Sequence, residues 1–229
     1  MSIKRRHKMN WLQKRLRRVK LPSFSRIQRL VRRYRKRLTR TNLAVMAIVV
    51  VLLIGVVYKS TMTQIDPTAY ASLLNTIAKG ESNGNYNAYF GHAGNTTILF
   101  TEMSVSQVQQ WQEEYVRQGS ASSAVGRYQI IRPTLAGLVR QLHIDPNAQF
   151  DEKMQDRLAI ALLERRGSIA YVEKKLTREE FAANLAKEWA ALPKVTGPAA
   201  HESYYAGDGL NRSHISPEEI LGAIAKLKS

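Results

Sequence analysis

The pattern of apolar and polar positions divides the chain into three regions of different character. Residues Leu43 to Tyr58 form an uncharged run of Leu, Val, Ile, Ala and Met with one Gly, bracketed by Arg40 and Lys59. As a helix rising about 1.5 Å per residue the run covers roughly 24 Å, and the uncharged Ser60 to Thr63 extend it toward the ~30 Å hydrocarbon core of a bilayer. No polar stripe interrupts the run, so the pattern predicts a single transmembrane helix over residues 43–62 rather than a buried core helix. After a linker at 63–67 that ends in Asp66-Pro67, the apolar positions take on helical spacing. Leu73, Leu74, Ile77 and Ala78 predict a first helix that runs out near Gly80 and Glu81. Ser82 to Gly94, dense in Asn, Gly and Tyr, has the composition of a loop or hairpin, and Thr96 to Phe100 is predicted as a short strand.

From there the start and stop signals are helical. Ser104 with Gln107 forms a capping box before a helix over Val105 to Gln118, and Gly119 stops it. Pro133 fits the first turn of a helix through Leu142. Asp151 caps a helix over Met154 to Arg166. Thr177 with Glu180 opens a helix that carries Phe181, Leu185 and Trp189 and ends before Pro193, with Trp189 expected in the core. Ser216, Pro217 and Glu219 open the last one. No internal repeat is present. The expected fold class is α+β, mostly α: one domain over residues 68–229 with a small β element, preceded by a single transmembrane helix.

Charge sharpens this division. Residues 1–42 hold seventeen Lys and Arg and no acidic residue, which leaves eighteen basic against eighteen acidic residues in the rest of the chain. The net charge of +17 therefore belongs to the tail. Basic residues crowd the N-terminal flank of the apolar run, so the positive-inside rule predicts a cytoplasmic N-terminus and a C-terminal domain across the membrane, periplasmic or otherwise extracytoplasmic, a virion membrane included. A cleaved signal peptide is disfavoured, because its charged region would be about forty residues long and Ala69-Tyr70-Ala71 lies well past the apolar run. The tail reads as two basic amphipathic helices broken near Leu21-Pro22, with Leu12, Leu16 and Val19 on one apolar face and Ile27, Val31, Tyr34 and Leu38 on the other. Anionic lipid and nucleic acid both suit such a segment, and a plain topogenic tail is the third reading. The chain has no cysteine, so disulfides and thiolate metal sites are excluded. His92, His143, His201 and His214 show no metal-ligand spacing.

Candidate chemistry centres on Glu81. A carboxylic acid at a helix end facing a polar loop can be half shielded from water, which raises its pKa and suits it to protonate a leaving oxygen. It is followed by Ser82, by Tyr86-Asn87-Ala88-Tyr89-Phe90-Gly91, by Phe100-Thr101 and by Ser123-Ala124-Val125-Gly126-Arg127-Tyr128-Gln129-Ile130-Ile131. Further on come Leu163-Glu164-Arg165-Arg166-Gly167 and Glu188-Trp189-Ala190-Ala191-Leu192-Pro193. In order and spacing these segments resemble the lambda-type phage endolysins, which group with the lysozyme-like lytic transglycosylases. The resemblance implies a lysozyme-like domain whose cleft holds the glycan strand of peptidoglycan, with Glu81 as the catalytic acid and Gly126, Tyr128 and Gln129 in a cleft-lining motif. T4-type phage lysozymes carry an Asp nine residues after the catalytic Glu and a Thr six further on. Here Phe90 and Thr96 stand at those positions, which disfavours that type of hydrolase. The first acidic residue after Glu81 is Glu102, expected as a surface charge.

With one carboxyl, cleavage follows if water is not the nucleophile. Glu81 would protonate the oxygen between N-acetylmuramic acid and N-acetylglucosamine, with backbone groups or Gln129 stabilising the sugar cation, and would then take the proton of the sugar's own C6 hydroxyl. The product would be a 1,6-anhydromuramyl end, and no metal or organic cofactor is required. Sugar rings stack on aromatic faces, which makes Tyr86, Tyr89, Tyr128, Tyr204 and Tyr205 candidate contacts, although core packing is expected for at least half of them. A hydrolytic muramidase and a non-catalytic peptidoglycan-binding anchor are the alternatives. The partners expected are peptidoglycan strands, a lipid bilayer around Leu43 to Tyr58, and anionic lipid or nucleic acid at the tail.

Overall fold

The first helix of the C-terminal unit forms where its apolar spacing places it, and it packs against the last helix of that unit. The computed structural model describes residues 65–228, together with residues 45–51, Ser25 and Gln28. The chain divides into two units, Met1–Met62 and Thr63–Ser229. In the first unit residues 45–51 are helical, and their large apolar side chains are exposed. The remainder of the expected span over 43–62, and nearly all of the basic tail, lie outside the described residues. Among the described residues no helix is long and apolar enough to cross a membrane.

The second unit opens with a 3-10 turn, Pro67–Tyr70, capped by the Asp66 side chain, which accepts from Thr68 N. Helix α1 follows over Ala71–Ser82 and buries Leu73, Leu74, Ile77 and Ala78 on one face. Burying each large aliphatic side chain of this kind stabilises the fold by roughly 1.5–3 kcal/mol. The helix stops at Asn83, which adopts the left-handed conformation (φ 54°) and returns its N–H to Ala78 O. A short polar side chain tolerates that conformation better than a branched one.

The later helices match their start signals, except the short one over Ser168–Val172, which has no side-chain cap and is not among the expected helices. They are α2 (Val105–Arg117), with both arms of the Ser104/Gln107 capping box formed, and α3 (Arg132–Gln141), with proline in its first turn. Then come α4 (Glu152–Arg165), capped by Asp151, and a short α5 (Ser168–Val172). The set closes with α6 (Arg178–Ala186), which also has a complete capping box, and α7 (Pro217–Ala225), capped by Ser216. Helix α1 packs on α7 and α4, α2 on α3, and α6 on α7. A single cluster of buried side chains joins all of them, with Tyr70, Ile77, Phe100, Phe150, Leu162 and Phe181 at or near zero exposure.

Two expectations are corrected. The predicted strand over Thr96 to Phe100 does not form, and among the described residues β structure is limited to isolated bridges such as Tyr89 with Val125 and Val125 with Ile130. The cause is Asn95, whose side-chain oxygen accepts from the N–H groups of Thr97 and Ile98 at 3.1 Å each, so they are not available to a ladder. Residues 83–103 are cross-tied by asparagine amides in place of a sheet. Asn85 donates to Ala93 O and Asn95 O, Asn95 donates to Asn87 O and Ile98 O, and Asn87 accepts from Thr101 N. The described domain is therefore mostly helical without a strand. Likewise, α6 stops at Ala186 and Trp189 lies beyond it. Its indole turns inward to donate to Tyr128 O at 3.2 Å, and the ring is buried as expected.

The turn over residues 123–130 is fixed from α2 by Gln112, which is fully buried and donates to Ser123 O at 2.7 Å and Ile130 O at 2.8 Å. Replacing it by an apolar side chain strands the Ser123 carbonyl, whereas Ile130 O still accepts the N–H of Val125 at 3.2 Å. Gln112→Leu is expected to lower unfolding stability by about 1–2 kcal/mol in chemical denaturation; a change below roughly 0.5 kcal/mol would show that the turn holds without this anchor.

Candidate active site

Glu81 lies in the last turn of α1, where the backbone of residues 188–191 crosses the helix end. Its Oε1 accepts the backbone N–H of Ala191 at 3.0 Å. Gly80 makes that approach possible, because a Cβ there would sit 2.9 Å from both Ala191 Cβ and Ile215 Cγ1. One edge of Glu81 opens onto a cleft, but its carboxyl is enclosed, and burial raises its pKa from 4.5 to about 7 against the opposing pull of the Ala191 N–H. A carboxyl with such a pKa holds its proton in a large fraction of molecules near neutrality and can both give and accept it.

The next residue ties this helix end to the 126–129 turn. Ser82 is buried, and its hydroxyl donates to Arg127 O at 2.8 Å, with Ala78 O at 3.2 Å as the alternative acceptor. Gly126 adopts φ +76°, and a Cβ there would collide with Gln155 Oε1, so glycine is required on both counts. Gln155 is buried in α4. Its Oε1 accepts Arg127 N at 2.9 Å, while its amide donates to Tyr86 O and Phe150 O at 3.1 Å each. Gln129 takes a left-handed conformation (φ 47°) and donates its side-chain amide to Gly126 O at 2.9 Å. For a non-glycine residue that conformation costs about 1–3 kcal/mol, and it places Gln129 on the cleft.

The cleft has a volume of about 1180 Å³. Glu81, Gln129, Phe90, Ile131, Tyr205 and Leu210 are among its lining residues. Among the described residues the only other carboxylate lining it is Glu188, whose side chain is 8% exposed and held by Arg165 at 3.0 Å and Arg166 at 2.7 Å.

Of the residues expected at the site, Glu81, Gln129 and Tyr205 border the cleft together. Tyr205 is anchored by a hydrogen bond from its hydroxyl to Lys187 O at 2.8 Å. The others are placed differently. Gly126 is buried, is not among the residues lining the cleft, and shapes the turn. Tyr128 borders the cleft, but it is only 1% exposed and offers no stacking face. Its hydroxyl donates to Asp156 at 2.6 Å and accepts from Arg127 at 2.7 Å, and burial, followed by the Asp156 bond, pushes its pKa far up. Tyr86 lies off the cleft under the Arg127 guanidinium, 4.9 Å from ring centre to Cζ, and its pKa is raised to about 12 by burial and by Asp156. Tyr89 belongs to an aromatic cluster with His92, Phe100, Trp111 and Tyr115 and does not line the cleft. Tyr204 is half exposed outside it, and Glu102 is exposed on the surface as expected.

Sequence reasoning missed the Ala191 N–H, Gln155 and the Arg165–Arg166–Glu188 cluster as parts of the site. A backbone donor leaves no side-chain signature, and Gln155 sits in α4 as one polar residue among many.

The raised pKa of Glu81 has a cost in stability whose sign follows from linkage. Below the unfolded-state value of 4.5 the carboxyl is neutral in both states and nothing is lost. As pH rises from 4.5 through about 7 the unfolded chain ionises first, and folding stability falls by up to on the order of 3 kcal/mol. Glu81→Gln is therefore expected to match the parent in stability at low pH and to exceed it increasingly across that interval, levelling off above it. Denaturation measured as a function of pH checks this, and a difference independent of pH would contradict it.

A family model described as Endolysin matches residues 71–207. Among solved structures, bacteriophage lambda lysozyme complexed with a chitohexasaccharide is similar at 18% identity, over 72% of this chain and 97% of that chain, with a TM-score of 0.44. No curated protein matches. The matched segment contains Glu81, the 126–129 turn and the Ala191 donor, and this chain belongs to the endolysin family, as a peptidoglycan-cleaving enzyme of the lytic transglycosylase or lysozyme type.

Proposed function

We propose that the chain is a lytic transglycosylase that cuts the bond between N-acetylmuramic acid and N-acetylglucosamine while tethered to a membrane. The observation that carries this reading is the carboxylate inventory of the cleft: Glu81 has a raised pKa, and Glu188 is already engaged by two arginines. Among the described residues no second carboxylate is left unengaged there to activate water, as an inverting hydrolase requires.

The step balances with one residue. Protonated Glu81 gives its proton to the glycosidic oxygen, the bond from that oxygen to the muramyl C1 breaks, and the N-acetylglucosamine 4-hydroxyl leaves. The C6 hydroxyl oxygen of the same muramyl residue then bonds to C1, and its proton passes to the Glu81 carboxylate, restoring the acid. The Ala191 N–H steadies the carboxylate between the two transfers. Gln129, which keeps one side-chain N–H on Gly126 O, has its amide oxygen for the developing positive charge or for a sugar N-acetyl group. A hydrolytic muramidase is the second reading, because Glu188 would become a candidate base if substrate displaced its arginines.

Peptidoglycan digested by the full chain in detergent and ¹⁸O-labelled water should yield anhydromuramyl ends without ¹⁸O. Reducing ends carrying ¹⁸O would establish hydrolysis instead. Glu81→Gln should lower the rate by about 10²–10⁴-fold. Because the protonated form initiates cleavage, the parent's rate should fall as pH rises through about 7.

The tether is proposed from the apolar run at Leu43 to Tyr58 and its basic N-terminal flank, with the bare apolar side chains of residues 45–51 in support. In this arrangement the tail is cytoplasmic, against anionic lipid or nucleic acid, and the catalytic unit is periplasmic or otherwise extracytoplasmic. Alkaline extraction should leave the full chain in the membrane, and protease added from the outer side should remove the C-terminal unit while sparing the tail. Release of the intact chain by alkali would refute the tether.

A further inference from the structure

Charge is distributed unevenly around the cleft. The cleft-lining residues between Phe90 and Thr134 include no Lys, Arg, Asp or Glu, whereas those between Leu162 and His214 include Arg165, Arg166, Lys187 and Arg212. Glu188 pairs with the two neighbouring arginines, and Arg165 and Arg166 remain 41% and 30% exposed. Lys187 and Arg212 are exposed and have no carboxylate partner among the described residues. They come from separate segments, Lys187 from the end of α6 and Arg212 from the loop before α7. The C-terminal unit as a whole is close to neutral, so this excess of cations is a property of the cleft and not of the domain. A neutral sugar polymer gives no reason for it. A muramyl strand does, since a bare muramyl residue keeps a free lactyl carboxylate and, where that group is amide-linked to a peptide, the peptide bears free carboxylates of its own.

Resting on the peptidoglycan reading above, we propose that Lys187 and Arg212 form a carboxylate-reading edge of the cleft, which selects strands bearing acidic stem peptides over uncharged glycan. The uncharged side, with Phe90, Gln129 and Ile131, accommodates the sugar backbone. The Arg165–Glu188–Arg166 cluster fixes the segment that carries Lys187 at one end and Ala191 at the other. Recognition of the peptide and placement of the Glu81 donor therefore share one piece of chain.

Two preparations of the same strands decide the matter, one native and one with its carboxylates blocked as amides. Binding is measured with the full chain in detergent, carrying Glu81→Gln so that no substrate is consumed. Native strands should bind about fivefold or more tighter than blocked ones at ~0.05 M salt, and the preference should shrink at ~0.5 M. Adding Lys187→Gln and Arg212→Gln together should bring the preference to roughly one. Lys187→Arg and Arg212→Lys should retain it, which separates a charge effect from misfolding. Equal binding of the two preparations by the parent, or a preference that survives the double substitution, overturns this assignment alone. Absence of binding to either preparation overturns both it and the function on which it rests.

Discussion

The hydrogen bond from Ala191 N–H to the Glu81 carboxyl is the contact on which the site depends, because it joins the end of one helix to a segment 110 residues away in sequence. The bond needs Gly80 to be small, needs α6 to stop at Ala186, and needs the chain after it to turn inward at Trp189. Each of these features has a separate cause in the packing, and together they enclose an acid that water would otherwise ionise. The enclosure raises the pKa of Glu81 by destabilising its charged form, so the candidate site holds an acid whose ionisation costs folding stability.

A second layer of contacts holds the opposite side. Ser82, next to the acid, bonds the carbonyl of Arg127, whose N–H is held by Gln155. Gln155 fills the space that any side chain on Gly126 would need. Motif positions that look like substrate contacts, Gly126 and Tyr128 above all, thus serve mainly to fix the turn that presents Gln129. The Arg127–Tyr86–Tyr128–Asp156 network lies behind that turn and supports it from the core side.

Much of the helical fold was legible because caps and apolar spacing are local. Ser104 with Gln107, Asp151, Thr177 with Glu180 and Ser216 each satisfy the helix they precede, and no distant residue is needed to read them. The short strand failed for the opposite reason: the residues at 96–100 are compatible with a ladder, but the Asn95 side chain takes the N–H groups that a ladder would use. Glu81 was legible as an acid at a helix end. Its partner was not, since a backbone N–H can belong to any residue. The tyrosines show the same limit, because an aromatic in a polar loop fits a sugar platform and a core wedge equally well. Only Tyr205, of the five tyrosines named as candidate sugar contacts, presents an exposed face to the cleft.

The chemistry proposed for the cleft requires Glu81 to be protonated at near-neutral pH because it is buried. Carbon-13 NMR titration of the side-chain carboxyls in the full chain, with Glu81 assigned by loss of its signal in Glu81→Gln, measures this directly. A midpoint about 7 is the predicted result, and a midpoint near the ordinary 4.5 would contradict it.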